Sequence, residues 1–452
     1  MAKYFGTDGV RGVANRELTP ELAFQLGRAG AYVLTKKAKG TPRVLLGKDS
    51  RRSGDMLEAA LTAGLCSIGA HVFPGGVIPT PAVAYLVRKY KLDAGIMISA
   101  SHNSMEDNGI KFFNSEGYKL HDNIEEEIES YINLSGNDIL PRPEGEGVGI
   151  IKPCPYAADD YASFLVSTVP ALNLEGYKIA LDCANGATSI LAPLVFEKLG
   201  AEVHTLSNRP NGSNINAGCG STHMGSLVKY VASQGVHLGL AFDGDGDRML
   251  AVDEKGNILD GDAVLAVCGL DLLERGQLLK KTLVATTMSN QGLEVFCRNK
   301  NIKLVRTDVG DRYVLEKMLS DELTLGGEQS GHYIFRQFCT TGDGILSGLQ
   351  LAAIMKRKKQ AISEISSEME TFPQVLVNIT VPSHRKCELT TNEAIQKFQA
   401  EIESQMVGEG RILVRPSGTE PLARVMIEGP DTEKITQWAN DLAKMIERNL
   451  NT

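Results

Sequence analysis

Short apolar runs alternate with segments of helical period along most of this chain. RVLLGKD (43–49) predicts a strand buried on both faces, and DMLEAALTAGLCSIG (55–69) predicts a helix. AHVFPGG (70–76) predicts the next strand. This strand–helix–strand order requires a crossover, so the two strands should lie parallel under a helix. The same order recurs in KIALDCANG (178–186), SILAPLVFEKLG (189–200) and AEVHTLS (201–207). It appears again in TLVATTMSN (282–290), LEVFCRNKN (293–301) and IKLVRTD (302–308). The last stretch differs. QVLVNITV, GRILVRPSG and ARVMIEG predict strands, and TNEAIQKFQAEIES and TEKITQWANDLAKMIERNL predict helices. That grouping suits a small α+β domain with an antiparallel sheet.

The expected fold class is therefore α/β: three similar α/β domains with mixed sheets plus a smaller C-terminal α+β domain. The Pro/Gly-rich segment SGNDILPRPEGEGVG (135–149) reads as a linker. Further breaks are expected near Asp253–Gly256 and Thr371–Pro373. The expected domains are 1–150, 151–254, 255–371 and 372–452.

Composition narrows the function classes. With 42% hydrophobic and 23% charged residues, the 452-residue chain has the balance of a globular protein and can bury several cores. A net charge of −8 gives no support to a nucleic-acid partner, so an anionic ligand would need local positive charge. Eight cysteines occur singly with no CxxC pair, which argues against a zinc or redox motif and for a reduced, intracellular protein. The start MAKYFGTDGVRG has no apolar signal core, and no apolar run approaches the ~18 residues of a membrane helix. The expected location is the cytoplasm, with no membrane partner.

Five polar segments carry candidate chemistry. In LGLAFDGDGDRMLAVDEKG (238–256), Asp243, Asp245 and Asp247 alternate with glycines between two apolar runs. Three carboxylates this close repel one another unless a cation sits among them, and hard oxygen ligands suit Mg²⁺ or Ca²⁺. Glu254 stands where an EF-hand has its twelfth ligand, but Arg248 takes the sixth position, where that loop requires Gly, and the flanks read as strands. A solvated acidic hairpin turn is the plain alternative. VRPSGTEPLARV (414–425) places two hydroxyls and a glycine between arginines, which suits a dianionic phosphate. It is not a P-loop, and read alone it could be a hairpin with surface arginines. LGGEQSGHYIF (325–335), with Glu328, Ser330 and His332, is a polar loop able to hydrogen-bond sugar hydroxyls. RTDVGDRYV (306–314), with Gly310 and Asp311, reads the same way, as a substrate-binding loop. Most such loops are only turns.

The fifth is ISASHNSMEDNGIK (98–111), with three serines, His102 and Lys111. A serine beside a histidine suggests a hydrolase, but neither GxSxG nor HExxH occurs in the chain. By itself the segment could be a polar loop closing a strand. Alongside a metal site and a phosphate clamp, a hydroxyl nucleophile completes the parts needed for phosphoryl transfer.

With FGTDGVRG, ISASHN, DGDGDR, GGEQSGH and RPSGTEPLARVMIEG in that order, the chain resembles the α-D-phosphohexomutase superfamily over essentially its whole length. The resemblance implies four domains around a central cleft. It implies phosphorylation of Ser101, with Asp243, Asp245, Asp247 and the phosphoserine holding one Mg²⁺. It places Glu328 and Ser330 on the sugar hydroxyls, and Arg415, Ser417, Gly418, Thr419 and Arg424 at the distal phosphate. It puts the positive groups Arg11, Lys111 and Arg248 near the transferred phosphate. His102 adjoins the phosphoserine in the catalytic set. Lys111 and His332 are both candidate proton shuttles, and the sequence does not choose between them. Pro416 stands where relatives often have Lys, which removes one positive charge from the phosphate loop.

Gln329, where mannose- and glucose-type relatives usually have Met, points with FGTDGVRG and CGSTH (219–223) to the glucosamine branch. The implied reaction interconverts glucosamine 6-phosphate and glucosamine 1-phosphate, feeding cell-wall precursor synthesis. A sugar 1,6-bisphosphate is the intermediate and activator, and it must turn end for end. The implied partner is a small phosphosugar, with the protein a monomer or homodimer. The rivals are the same chemistry on mannose or glucose phosphates and a metal-dependent sugar phosphatase.

Overall fold

The computed structural model describes residues 4–6, 8–36, 38, 40–132, 139–406, 410–416 and 422–450. Two compact units emerge: Met1–Met288 with Val305–Ser366, and Ser289–Leu304 with Ser367–Thr452.

The first unit begins with a six-stranded mixed sheet in the order β1-β2-β6-β5-β3-β4. Its strands are β1 (Phe5–Gly6), β2 (Gly9–Val13), β3 (Arg43–Lys48), β4 (His71–Val77), β5 (Ala94–Ile98) and β6 (Asp107–Asn114). Strand β3 runs parallel to both β4 and β5, as the strand–helix–strand pattern requires. Strand β6 returns antiparallel to β5 and pairs antiparallel with β2, which makes the sheet mixed. Its helices are α1 (Pro20–Leu34), α2 (Ser53–Ser67), α3 (Thr80–Lys89) and α4 (Asp122–Ile132). Pro20 fits the first turn of α1 because its missing N–H would have no helical partner there, and Thr19 Oγ1 caps the Leu22 N–H at 3.3 Å. The apolar side chains of α1 and α2 join those of β3 and β5 in one core, including Leu26, Leu57, Leu61, Leu46 and Ile96.

A five-stranded sheet, β11-β10-β9-β7-β8, follows. It comprises β7 (Lys178–Asp182), β8 (Glu202–Leu206), β9 (Leu238–Phe242), β10 (Met249–Asp253) and β11 (Ile258–Leu259). Helices α5 (Ala157–Ser167), α6 (Thr188–Lys198) and α7 (Gly225–Gln234) belong to this part of the chain. Strand β7 is parallel to β8 and β9, whereas β9 and β10 form an antiparallel hairpin closed by the Phe242↔Met249 pair. The acidic run is therefore a hairpin turn between strands.

The third sheet has the order β13-β12-β14-β15. Its strands are β12 (Thr282–Thr286), β13 (Lys303–Thr307), which enters this unit through Val305–Thr307, β14 (Leu325–Gly327) and β15 (Tyr333–Phe335). It is accompanied by α8 (Gly261–Glu274), and then, beyond α9 (Gln291–Asn299) of the second unit, by α10 (Asp311–Ser320), α11 (Gly344–Lys358) and α12 (Ile362–Ser366).

Helix α11 starts at Asp343, whose Oδ1 caps the Leu346 N–H at 3.0 Å while Oδ2 accepts from the Tyr161 hydroxyl at 2.7 Å. Burial pushes this carboxyl up to about 6, against the cap and the tyrosine bond, which favour its ionised form. A carboxyl raised on folding contributes stability that is full below its unfolded pKa, near 4, and is lost as pH rises through about 6. Asp343→Asn keeps an oxygen for the cap and removes the charge. The stability of the wild type relative to Asp343→Asn should fall by up to about 3 kcal/mol between pH 4 and 6. Urea midpoints across that range check this, and a pH-independent difference would contradict it.

The second unit is a three-stranded antiparallel sheet, β16-β18-β17, built from β16 (Gln374–Thr380), β17 (Arg411–Pro416) and β18 (Leu422–Glu428). Helices α13 (Glu393–Met406) and α14 (Thr432–Leu450) cover it. On α14 the residues Ile435, Ala439, Leu442 and Ile446 are buried at spacings of three and four, giving one apolar stripe. Helix α9 packs in this unit, where the Gln291 N–H donates to Glu428 Oε2 at 2.9 Å. Among the described residues, no helix is long and apolar enough to cross a membrane.

Candidate active site

The serine loop spans the turn between β5 and β6. It starts where the hairpin pairing ends, with the Ser99 N–H bonded to the Gly109 carbonyl at 2.9 Å. Ser101 is buried and holds φ at +53°, a left-handed conformation that costs a non-glycine residue roughly 1 kcal/mol or more. Its Oγ donates to Asp243 Oδ2 at 2.5 Å and lies 3.3 Å from His102 Nδ1. Ser99 is buried beneath it, accepting from the Ser101 N–H at 2.9 Å. Ser104 is exposed. Burial lowers the His102 pKa, as do the neighbouring Arg248 and Arg11 guanidiniums. The ring is thereby kept neutral and half-buried beside the serine.

The turn between β9 and β10 presents Asp243, Asp245 and Asp247, all buried, with one oxygen from each within 4.8 Å of the others. The two glycines act differently. Gly246 adopts φ +70° and turns the chain, whereas Gly244 leaves room for the serine loop. A Cβ at Gly244 would lie 2.5 Å from the Ser101 carbonyl oxygen. Burial pushes the Asp243 carboxyl well above the usual range, and repulsion from Asp247 and Asp245 adds to it. Asp247 behaves oppositely. Burial would raise it, but Lys111, His332, Lys119 and Arg248 hold it down at about 2.

A metal ion fits this donor set. Oδ1 of Asp245 and Oδ1 of Asp247 are buried and have no hydrogen-bond partner. Unpartnered buried carboxylate oxygens are costly, and a hard cation coordinated by all three residues would satisfy them. It would also remove the repulsion that now favours a proton on Asp243.

Lys111 comes from β6, a strand buried on both faces, and is 1% exposed. Its ammonium lies 2.8 Å from Asp245 Oδ2, 2.9 Å from Asp8 Oδ2 and 3.5 Å from Asp247 Oδ2. Burial alone would lower its pKa, but these carboxylates raise it well above the usual lysine value, so the group stays charged. Thr80 Oγ1 also donates to Asp245 Oδ2, at 2.5 Å. Arg11, on β2, ion-pairs with Asp8, and Arg248 lies 4.0 Å from Asp247. The Nε atoms of both arginines are buried without a hydrogen-bond partner. These two donors are suited to an anion.

The polar loops of the third sheet complete this region. His332 pairs backbone to backbone with Arg248 across an isolated bridge, which ties the β14–β15 turn to the acidic turn. Its Nε2 lies 2.9 Å from the Gly342 N–H, and its Nδ1 lies 3.9 Å from Asp247. Its Nε2 is also 3.4 Å from Asp311 Oδ2. Glu328 is buried at the turn and accepts from the Gly310 N–H at 3.1 Å. Ser330 is exposed on the same turn.

The first unit therefore brings Ser101, His102, Asp243, Asp245, Asp247, Lys111, Arg11, Arg248, His332, Asp311, Gly310 and Glu328 into one linked set. In the second unit, Arg415 and Arg424 are register partners on β17 and β18, so both project from one face of the sheet. Ser417, Gly418 and Thr419 lie outside the described residues.

Sequence reasoning missed several residues. Asp8 accepts from both Lys111 and Lys119, the latter at 2.6 Å, and Lys119 bridges on to Asp311 at 2.7 Å. Burial would raise the Asp8 pKa, but Lys111, Lys119 and Arg11 hold it well below the usual carboxylate range. Asp8 lies inside FGTDGVRG, three residues before Arg11, and that spacing was its only signal. Thr80 and Lys119 carry no motif and are recruited by the fold.

Four family models match in order along the chain, all described as phosphoglucomutase/phosphomannomutase: α/β/α domain I over 2–137, domain II over 159–256, domain III over 260–372 and the C-terminal domain over 376–445. A phosphoglucosamine mutase from Ruminiclostridium cellulolyticum is 54% identical over 450 residues, covering 100% of both chains. A solved phosphoglucomutase/phosphomannomutase family protein from Burkholderia thailandensis superposes with a TM-score of 0.81 at 23% identity, covering 98% of this chain and 97% of its own. An N-acetylphosphoglucosamine mutase from Aspergillus fumigatus, solved with GlcNAc-6P and magnesium, has a TM-score of 0.71 at 17% identity over 99% of this chain and 96% of its own. At these identities the two structural matches speak for the fold.

Proposed function

The chain belongs to the α-D-phosphohexomutase superfamily, among relatives called phosphoglucosamine mutase, and from that premise we propose that it interconverts glucosamine 6-phosphate and glucosamine 1-phosphate through a phosphorylated Ser101. The observation that carries this reading is the Ser101 hydroxyl, 2.5 Å from a buried three-aspartate cluster, with the charged Lys111 ammonium against that cluster.

Ser101 carries the phosphoryl group to a free sugar hydroxyl. The Oγ–P bond breaks as a bond from phosphorus to the sugar oxygen forms, and the proton leaving the sugar hydroxyl is balanced by one gained at Ser101 Oγ, giving a 1,6-bisphosphate and the free serine. After the bisphosphate turns over, the other phosphate returns to Ser101. Asp243, Asp245, Asp247 and the phosphoserine would hold Mg²⁺, which when bound stabilises negative charge on the transferring group. Lys111 stays protonated and acts as a fixed positive charge beside the aspartate cluster. His332 lies 3.9 Å from Asp247, with its Nε2 engaged by the Gly342 N–H. The Nε groups of Arg11 and Arg248 donate to phosphoryl oxygens. Glu328 and Ser330, with Gly310 and Asp311, read the sugar. Arg415 and Arg424, with Ser417, Gly418 and Thr419, grip the distal phosphate, which sits on C1 in one half-reaction and on C6 in the other.

The test is phosphorus NMR of the protein with glucosamine 6-phosphate, Mg²⁺ and a trace of glucose 1,6-bisphosphate. The expected result is accumulation of glucosamine 1-phosphate, loss of turnover on adding EDTA, and a higher kcat/KM than with glucose or mannose 6-phosphate. Release of free phosphate without any sugar 1-phosphate would make the protein a phosphatase instead.

A further inference from the structure

The serine loop is held by a set of residues that has no place in the chemistry above. Arg51, just after β3, is buried, with its side chain fully enclosed beside Asp49. Its Nε donates to Asp49 Oδ2 at 2.8 Å. One Nη donates to the carbonyls of Ser101 and Asn103, at 3.0 and 2.9 Å. The other donates to the carbonyls of Asp107, at 3.0 Å, and Ser104. A guanidinium has five N–H donors, and these contacts use them all. Arg51 is therefore not available to bind phosphate, despite its charge and position. The Asp49 Oδ2 atom that takes Nε also accepts from Ser99 Oγ at 2.6 Å, and Ser99 in turn holds the Ser101 N–H. Both the N–H and the C=O of Ser101 are thus anchored to one buried ion pair.

A second clamp comes from a different α/β domain. Asn216, in the NINAG loop following β8, is buried and donates through Nδ2 to the Ser101 carbonyl at 2.9 Å and the Asn103 carbonyl at 2.8 Å. Its own N–H is fixed to the Ala184 carbonyl at 2.9 Å. A Cβ at Gly244 of the acidic turn would approach both the Ser101 carbonyl oxygen, at 2.5 Å, and Asn216 Nδ2, at 2.9 Å. The serine loop, Asn216 and the acidic turn are therefore packed as one block.

We propose that Asn216 and Arg51 are positioning residues that hold Ser101 in its left-handed conformation and set its Oγ against the aspartate turn of the neighbouring domain. Arg51 shapes the loop within its own domain. Asn216 supplies the link between domains, so it governs the distance from the nucleophile to the acidic cluster. This inference rests on Ser101 being the phosphoryl carrier.

The experiment follows single-turnover phosphorylation of full-length protein by glucose 1,6-bisphosphate with Mg²⁺, read by intact mass against time and by peptide mapping. Displacement of a nucleophile by about 1 Å costs on the order of 10²-fold in rate. Asn216→Ala should therefore slow Ser101 phosphorylation and kcat by tens- to a hundredfold, leave KM for the phosphosugar within about twofold, and stay folded by thermal unfolding. Arg51→Lys, which can supply at most three of the five bonds, should slow the same step. A wild-type phosphorylation rate in Asn216→Ala overturns the inference while leaving the proposed function standing. A loss of rate matched by an equal loss of folded protein in both variants also overturns it. If wild-type protein takes its phosphate elsewhere than Ser101, both readings fall together.

Discussion

Ser101→Ala is expected to reduce mutase turnover by more than about 10³-fold, with the fold unchanged. The phosphoryl group must rest on the enzyme between turnovers, and of the three serines in this loop Ser101 is the one whose hydroxyl touches the aspartate cluster. Ser104 is exposed, so Ser104→Ala should retain nearly full rate. Ser99 is buried and supports the Ser101 N–H, so Ser99→Ala should be slowed yet measurable. The oxygen lost in Ser101→Ala donates to Asp243, and a proton on that carboxyl can make up for the missing bond, which is why stability should change little. Steady-state assay of the three variants with glucosamine 6-phosphate checks the ranking. Normal turnover by Ser101→Ala would end the covalent mechanism.

Lys111→Ala is expected to damage activity and stability together. The ammonium is shared by Asp245, Asp8 and Asp247, and removing it leaves buried carboxylates facing one another. Breaking a buried pair in this way typically costs about 3–5 kcal/mol. Part of that cost should return as protons taken up by the carboxylates, or as a divalent cation bound in their midst. The variant should therefore show a lower melting temperature that rises again with added Mg²⁺, and a kcat reduced by about 10²–10⁴-fold. Calorimetry with and without Mg²⁺, alongside the assay, measures both. An unchanged melting temperature would show that the lysine is not electrostatically important to the fold.

Comparing the two variants shows what a motif can and cannot convey. Asp243, Asp245 and Asp247 are readable in sequence because their spacing of two within glycines already puts three charges in one turn. Ser101 and Lys111 are readable only through the company of the other motifs, since a serine in a polar loop and a lysine in an apolar strand are common. The strands β3, β7 and β9 were legible as apolar runs for the same local reason: burial on both faces leaves no polar position. Strand β6 was not. Its DNGIKFFN sequence carries a charge at its centre, and its partners are β5 by a hairpin and β2 from the far N-terminus.

Asp8, Lys119, Thr80, Arg51 and Asn216 escaped detection for a common reason. Each acts through a partner far away in the chain, and apart from the Asp8–Arg11 spacing none stands in a pattern that local chemistry would demand. Thr80 meets Asp245 across 165 positions, Asn216 meets the Ser101 carbonyl across 115, and Lys119 meets Asp311 across 192. Arg51 shows the difficulty best. In the KDSRRSG stretch it looks like a surface cation or a phosphate ligand, yet in the fold all five of its donors are taken by Asp49 and by carbonyls of the serine loop.

The sequence by itself determined the α/β grammar, the antiparallel C-terminal sheet and the clustering of three aspartates in one turn. These follow from hydrophobic period and from short-range charge, both properties of neighbouring residues. Only the tertiary structure decided that Ser101 is left-handed, that Lys111 stays charged while Asp243 is pushed toward its protonated form, and that Asn216 joins one domain to the next. Those outcomes depend on desolvation and on distances between residues a hundred positions apart, which exist only once the sheets have packed.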